Sequence, residues 1–171
     1  MMNRSSELFR MVCDRCAAWL VPMGFERCGN AFRYRRSDVD WHVEIVRSEW
    51  TSPEHLRFSI VVGVYAPKIA AVLGDRSPDD WSAVRCHWHE NLGALATVGQ
   101  DIWWLIHSES QLAETVAVIE WLFRTQAIPA FKQFGTFSRL VESWGTWPNV
   151  ARMAAVGRYI AAVEARGVDS A

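Results

Sequence analysis

Lysine is nearly missing from this chain, with two residues against sixteen arginines. Cysteine is scarce at four, and no charge of one sign prevails, because eighteen basic and nineteen acidic residues leave a net charge of −1. The longest apolar runs, near residues 59–66 and 69–73, fall far short of the ~20 residues that span a bilayer. Each shortage excludes something. Four cysteines in 171 residues do not make a disulfide scaffold. Near-zero net charge argues against extended nucleic-acid binding and against an acidic tail. The first residues lack the apolar stretch and small-residue cleavage site of a secretory signal, so the expected compartment is the cytoplasm, with no membrane partner.

What remains is a chain that is half hydrophobic, which excludes wholesale disorder. Its length suits one domain over residues 1–171, with a helix and sheet in residues 5–107 and a helical part in residues 108–171. Residues 5–20 read as a helix, because Phe9, Val12, Cys13, Cys16, Trp19 and Leu20 recur at three- and four-residue spacing. Ser5 or Ser6 can cap its start, and Pro22 and Gly24 stop it. The period then changes to two. Phe32 and Tyr34 alternate with Arg33 and Arg35; Trp41, Val43 and Ile45 with His42 and Glu44; Leu56, Phe58, Ile60, Val62 and Val64 with Arg57, Ser59, Val61 and Gly63. Three such runs joined by short turns predict an antiparallel meander. Residues 84–89 alternate as a strand, but Trp81, Val84 and Trp88 are also at helical spacing; the strand is favoured. Residues 101–107 form a further strand, for a sheet of four to five.

The rest is helical. Ser108 with Gln111 opens a helix to about Arg124, Pro129 begins a turn ending at Gly135, and residues 136–143 form a short helix. A last, alanine-rich helix runs from Pro148 to about Arg166 and is expected to pack closely on another helix. Strands segregated from helices in this way make the class α+β.

The residues Gly24-Phe25-Glu26-Arg27-Cys28-Gly29-Asn30-Ala31-Phe32-Arg33-Tyr34 carry a resemblance, together with the strand that ends in Gly63-Val64-Tyr65 and the group Asp101, Trp103 and Trp104. In these, residues 5–107 resemble a bacterial family known as domain of unknown function 4304. The resemblance implies the fold and a bacterial origin. The family has no established activity, so no catalytic residue is carried over.

Two local motifs invite chemistry. Cys13-x-x-Cys16 has redox or zinc half-site spacing, yet both cysteines lie mid-helix on the apolar stripe, where buried thiols are ordinary core. In Cys86-His87-Trp88-His89-Glu90, a strand would aim His87 and His89 the same way, as a metal pair requires. Further ligands would have to come from His42 and Glu44 on another strand, and there is no second tight cluster. No metal or cofactor is therefore expected.

The polar face of the meander is the more informative feature. Arg33, Arg35, His42, Glu44, Arg57 and Ser59 share it, with Arg85, His87 and His89 alongside, and Trp103 or Trp104 must point to the same side. Such a cationic patch with a tryptophan has the composition of an interface hot spot. The leading expectation is a non-catalytic binding or interaction module, of the adaptor or toxin-immunity type, holding an acidic protein partner or a small anionic ligand. The alternative is a small enzyme in which His87 or His89 is the general base and Arg57 holds an anionic substrate. A third reading is homo-oligomerisation through the last helix.

Overall fold

The computed structural model describes residues 3–74, 80–96, 100–148 and 150–168. The first helix, α1 (Arg4–Leu20), starts one step earlier than the serines suggest: the Asn3 side-chain oxygen accepts the Ser6 N–H at 2.9 Å. Ser5 is instead buried, and its hydroxyl accepts from Arg47 Nη2 at 2.8 Å. The stripe of Leu8, Val12, Cys13, Cys16, Trp19 and Leu20 faces the core.

A six-stranded sheet follows. Its strands are β1 (Glu26–Cys28), β2 (Ala31–Arg35), β3 (Asp40–Arg47), β4 (Leu56–Tyr65), β5 (Trp88–Asn91) and β6 (Trp104–Ile106). All ladders are antiparallel, in the order β1-β2-β3-β4-β5. β6 pairs with the start of β4 through Leu56 and Phe58, while β5 pairs with its end through Val61 to Val64, so two short strands share one edge of β4. Strand β1 has no counterpart in the sequence reading. It is three exposed residues without alternation, and it is paired by a two-residue turn in which Gly29 takes φ 62°. The α+β class and the meander of β2, β3 and β4 stand as the alternation predicts.

The region of ambiguous period resolves into both forms. Residues Ala83–Arg85 make a single 3₁₀ turn, and the strand begins only at Trp88. Two further short helices, α2 (Pro67–Leu73) and α3 (Leu92–Ala96), fill the connections.

The inner sheet face carries Phe32, Trp41, Val43, Ile45, Phe58, Ile60, Val62, Val64, Trp88 and Ile106, all buried. Against it lie α1, α4 (Glu109–Leu122) and α5 (Ile128–Gln133). The reading that Pro129 opens a turn is corrected here. α4 widens into a π-type turn over Phe123–Ala127 and continues without a break as α5, with Pro129 directly after the widened turn. This keeps Phe123 and Phe131 on one side. Phe123 meets Trp19 with ring centroids 5.0 Å apart, Phe131 stacks on Trp41 at 4.9 Å, and Phe134 meets Trp88 at 4.7 Å. A seam of aromatic rings therefore joins α1, β3, β5 and the helices, each contact adding about 0.5–1.5 kcal/mol beyond area burial.

The chain closes with α6 (Phe137–Glu142), a 3₁₀ turn (Val150–Met153) and α7 (Ala154–Val168). The last helix thus begins later than Pro148. It packs on α2 and α6, and its close approach is made by Gly157, where a Cβ would lie 2.7 Å from the Trp144 indole nitrogen. The alanines expected to provide that contact are mostly exposed.

Phe131→Ala removes the ring that joins Trp41 to the helical layer, and a loss of about 3–5 kcal/mol is expected. Urea denaturation followed by tryptophan fluorescence measures it; a loss below 1 kcal/mol (about half a methylene pair by area) would show that the seam does not carry the core.

Candidate functional site

The outer face of the sheet receives Arg33 and Arg35 from β2, His42 and Glu44 from β3, Arg57 and Ser59 from β4, and His89 from β5, as period two requires. The register places Arg33, His42, Gly63 and His89 in one row across four strands. These side chains do not form one solvent-facing patch. Residues 80–87 cross over the row as a strap, and Gly63 makes room for it: a Cβ there would meet the Cys86 Cβ at 2.7 Å and the Ala83 carbonyl oxygen at 2.8 Å.

Glu44 anchors the strap. Its Oε2 accepts from the Ser82 hydroxyl and from the Ala83 N–H, each at 2.9 Å. His42 donates from Nδ1 to the Trp81 carbonyl oxygen at 3.2 Å. The Arg33 guanidinium lies 4.0 Å from the centre of the Trp81 ring and reaches Glu26 at 3.4 Å. Only 5% of Arg33 is exposed. Arg33, His42 and Glu44 are thus structural supports of the strap. Arg35 remains exposed at the sheet edge, 3.7 Å from the same Glu26 carboxylate.

Beyond the strap the outer face opens at two places. One cleft, of about 410 Å³, lies where β3 and β4 end and is lined by Arg47, Ser48, Glu49, Trp50, Arg57 and Trp103. The Arg57 guanidinium sits 5.5 Å from the centre of the Trp103 ring. Trp50 is 72% exposed, Trp103 38%, and Leu105, directly across from Arg57 on β6, 51%. Arg47 bonds the hydroxyls of Ser5 and Ser6, and neither Arg47 nor Arg57 makes an ion pair among the described residues. Glu49 shares the rim without pairing to either.

The second cleft, of about 440 Å³, lies at the other end of the face. It is lined by Arg85, Cys86, His87 and His89 on one wall and by Ala151, Arg152, Ala154, Ala155 and Arg158 on the other. Arg85 is held by Asp80 at 3.1 Å, and Arg152 by Glu90 at 3.5 Å and Asp101 at 3.3 Å. His87 is buried, stacked on Tyr65 at 5.1 Å, and its Nδ1 accepts the Ala66 N–H at 2.9 Å. Burial, reinforced by the charge of Arg152, pushes the His89 imidazole below its ordinary pKa, so it is neutral at pH 7.

Arg57 and His89 are therefore at opposite ends of the sheet. His89 faces Gly63, six residues along β4 from Arg57, or about 20 Å at ~3.3 Å per residue. Among the described residues no group of three His, Cys, Asp or Glu is placed to hold a metal. Cys13 and Cys16 are buried free thiols, pushed by burial up to about 11 and about 12, which makes them poor nucleophiles. Sequence reasoning missed Trp50, Trp81 and Arg47, whose roles depend on loop paths, and Arg152 and Arg158, which no local pattern connects to His89.

Two outcomes follow. Glu44→Ala leaves Ser82 and the Ala83 N–H without their shared acceptor; a loss of about 1–3 kcal/mol in urea denaturation is expected, with faster amide exchange confined to residues 82–87. Unchanged exchange there would mean that the strap is held by other contacts. Second, the folded chain resists protonating His89 while the unfolded chain takes up that proton near the ordinary imidazole value of 6.5. Stability contributed by neutral His89 is present above pH 6.5 and is lost as the pH falls below it. His89→Gln should flatten that decline in denaturation midpoints between pH 7.5 and pH 5.5; an unaltered slope would assign it to other groups.

No helix among the described residues is long and apolar enough to cross a membrane. No curated protein and no solved structure matches the chain. One family does: the model for the domain of unknown function DUF4304 matches residues 16–133. That span contains the whole first cleft and the strap, whereas the Ala151–Arg158 wall of the second cleft lies beyond it. The match covers well over half of the chain, including the meander and the strap, and this protein belongs to the DUF4304 family.

Proposed function

We propose that this protein is a non-catalytic binding module that receives an acidic segment of a partner protein on the cleft of Arg57 and Trp103. One observation carries the reading: Arg47 and Arg57, without carboxylate partners among the described residues, flank two exposed tryptophans at the open end of the sheet. By contrast, Arg33, Arg35 and Arg85 are each held by a carboxylate of the chain itself. The Arg57 guanidinium lies within cation–π range of the Trp103 indole and keeps its donors for a carboxylate, and tryptophan with arginine is the composition of interface hot spots. Leu105 and Trp50 extend an exposed apolar rim beside the cleft, which suits a polypeptide segment with apolar side chains among its acidic ones. Binding is favoured over catalysis because Arg57 is remote from His87 and His89, so an anion gripped by Arg57 does not meet either imidazole as a base.

The test is photo-crosslinking in the native host from a benzophenone amino acid placed at Leu105. The expected outcome is a discrete adduct whose contacted segment is rich in Asp and Glu. Arg47→Ala with Arg57→Ala should abolish it without altering the fold by circular dichroism, while the same probe at Val163 on α7 gives none. An adduct that survives both arginine replacements, or none at all from position 105, removes the proposal.

A further inference from the structure

The second cleft lies apart from the proposed docking face, and its chemistry differs. Its walls bring together Arg85 from the strap, Arg152 from the 3₁₀ turn and Arg158 from α7, with His87 and His89 between them. Among the described residues no carboxylate lines it. The carboxylates that hold the arginines grip them from outside the cleft. Arg85 engages Asp80 through Nη1, which leaves Nε and Nη2. Arg152 engages Glu90 through Nε and Asp101 through Nη2, which leaves Nη1. Glu90 is itself buried and accepts from the Asn91 N–H at 3.0 Å and from the Trp147 indole at 3.4 Å, so Arg152 is fixed by a packed group. Arg85 and Arg152 are thus positioned beforehand, with donors to spare. The wall between them is Ala151, Ala154 and Ala155, small side chains that leave the space open.

We propose that this cleft binds a phosphate group, carried by a small phosphomonoester. Three guanidiniums on three elements suit a tetrahedral oxyanion, which offers oxygens in several directions, better than a planar carboxylate. A volume of about 440 Å³ exceeds what one phosphate fills and leaves room for an organic moiety against the alanines. His89 reports on the site. Its Nδ1 is buried with no hydrogen-bond partner among the described residues, and burial, with the charge of Arg152 and against that of Asp101, lowers its pKa. An anion arriving beside Arg152 offsets that field and favours the imidazolium, so the His89 pKa rises on binding.

The experiment titrates the full chain with inorganic phosphate and then with glycerol phosphate, following the His89 ring resonances by NMR. Expected are saturable shifts, an upward move of the His89 titration midpoint, and tighter binding of the ester than of phosphate. Arg158→Ala, on the exposed side of the cleft, should weaken binding about tenfold. Ala154→Glu, a helix-compatible change that puts a carboxylate into the cleft, should weaken it at least as much. Arg152 is left unaltered, since its loss would strand buried Glu90. Arg57→Ala should leave the titration unchanged, which separates this site from the docking face. Absence of any saturable shift, or binding that both cleft variants leave intact, overturns the proposal. A dicarboxylate such as succinate binding more tightly than the ester overturns the phosphate assignment.

Discussion

A single carboxylate oxygen organises the outer side of this fold. Glu44 Oε2 accepts one hydrogen bond from the Ser82 hydroxyl and one from the Ala83 N–H, and so ties residues 80–87 across the sheet. Without that anchor the row of Arg33, His42, Gly63 and His89 would face water as one surface. With it, Trp81 lies over Arg33, and Cys86 drops into the space that Gly63 leaves. Charge-assisted hydrogen bonds to a half-buried carboxylate are among the stronger polar contacts available to a surface segment. The strap consumes the middle of the polar face and leaves its two ends, and both candidate sites are those ends.

The inner side obeys a different constraint. Trp19 meets Phe123, Phe123 meets Phe131, and Phe131 meets both Trp41 and Trp88, with Phe134 beyond Trp88. β4 is buried on both of its faces for most of its length, because the seam covers one and the strap the other. Two short strands share its far edge, and the connection between them is secured by Ser59 and Asn91, which bond Ile102 and Gly93. β4 runs the length of the face, and the two clefts lie towards its opposite ends.

The clefts have different histories within the chain. The first is complete within residues 16–133, the span that matches the family. The second needs the segment after α6, because Arg152, Ala155 and Arg158 make its outer wall. The outer face thus carries an exposed arginine–tryptophan rim at one end and an arginine–histidine cleft at the other. We propose the rim as the seat of a polypeptide segment and the cleft, with its three guanidiniums, as the seat of a compact anion.

Much of the architecture was legible from periodicity. The α1 stripe, the alternation of β2, β3 and β4, and the Ser108 cap each follow from side-chain spacing along a few residues, which local sequence controls directly. Alternation also assigned Arg33, His42, Glu44, Arg57 and His89 to a common face. β1, the π-type turn before Pro129 and the late start of α7 carry no such spacing, and they are set by neighbours. What the sequence by itself determined is which side of the sheet each charged group occupies, because a pleated strand has period two. Whether such a group meets water was decided only in three dimensions. Long-range contacts between Glu44 and Ser82, Arg33 and Trp81, and Arg152 and Glu90 choose what is covered, and no local pattern encodes a partner dozens of residues away.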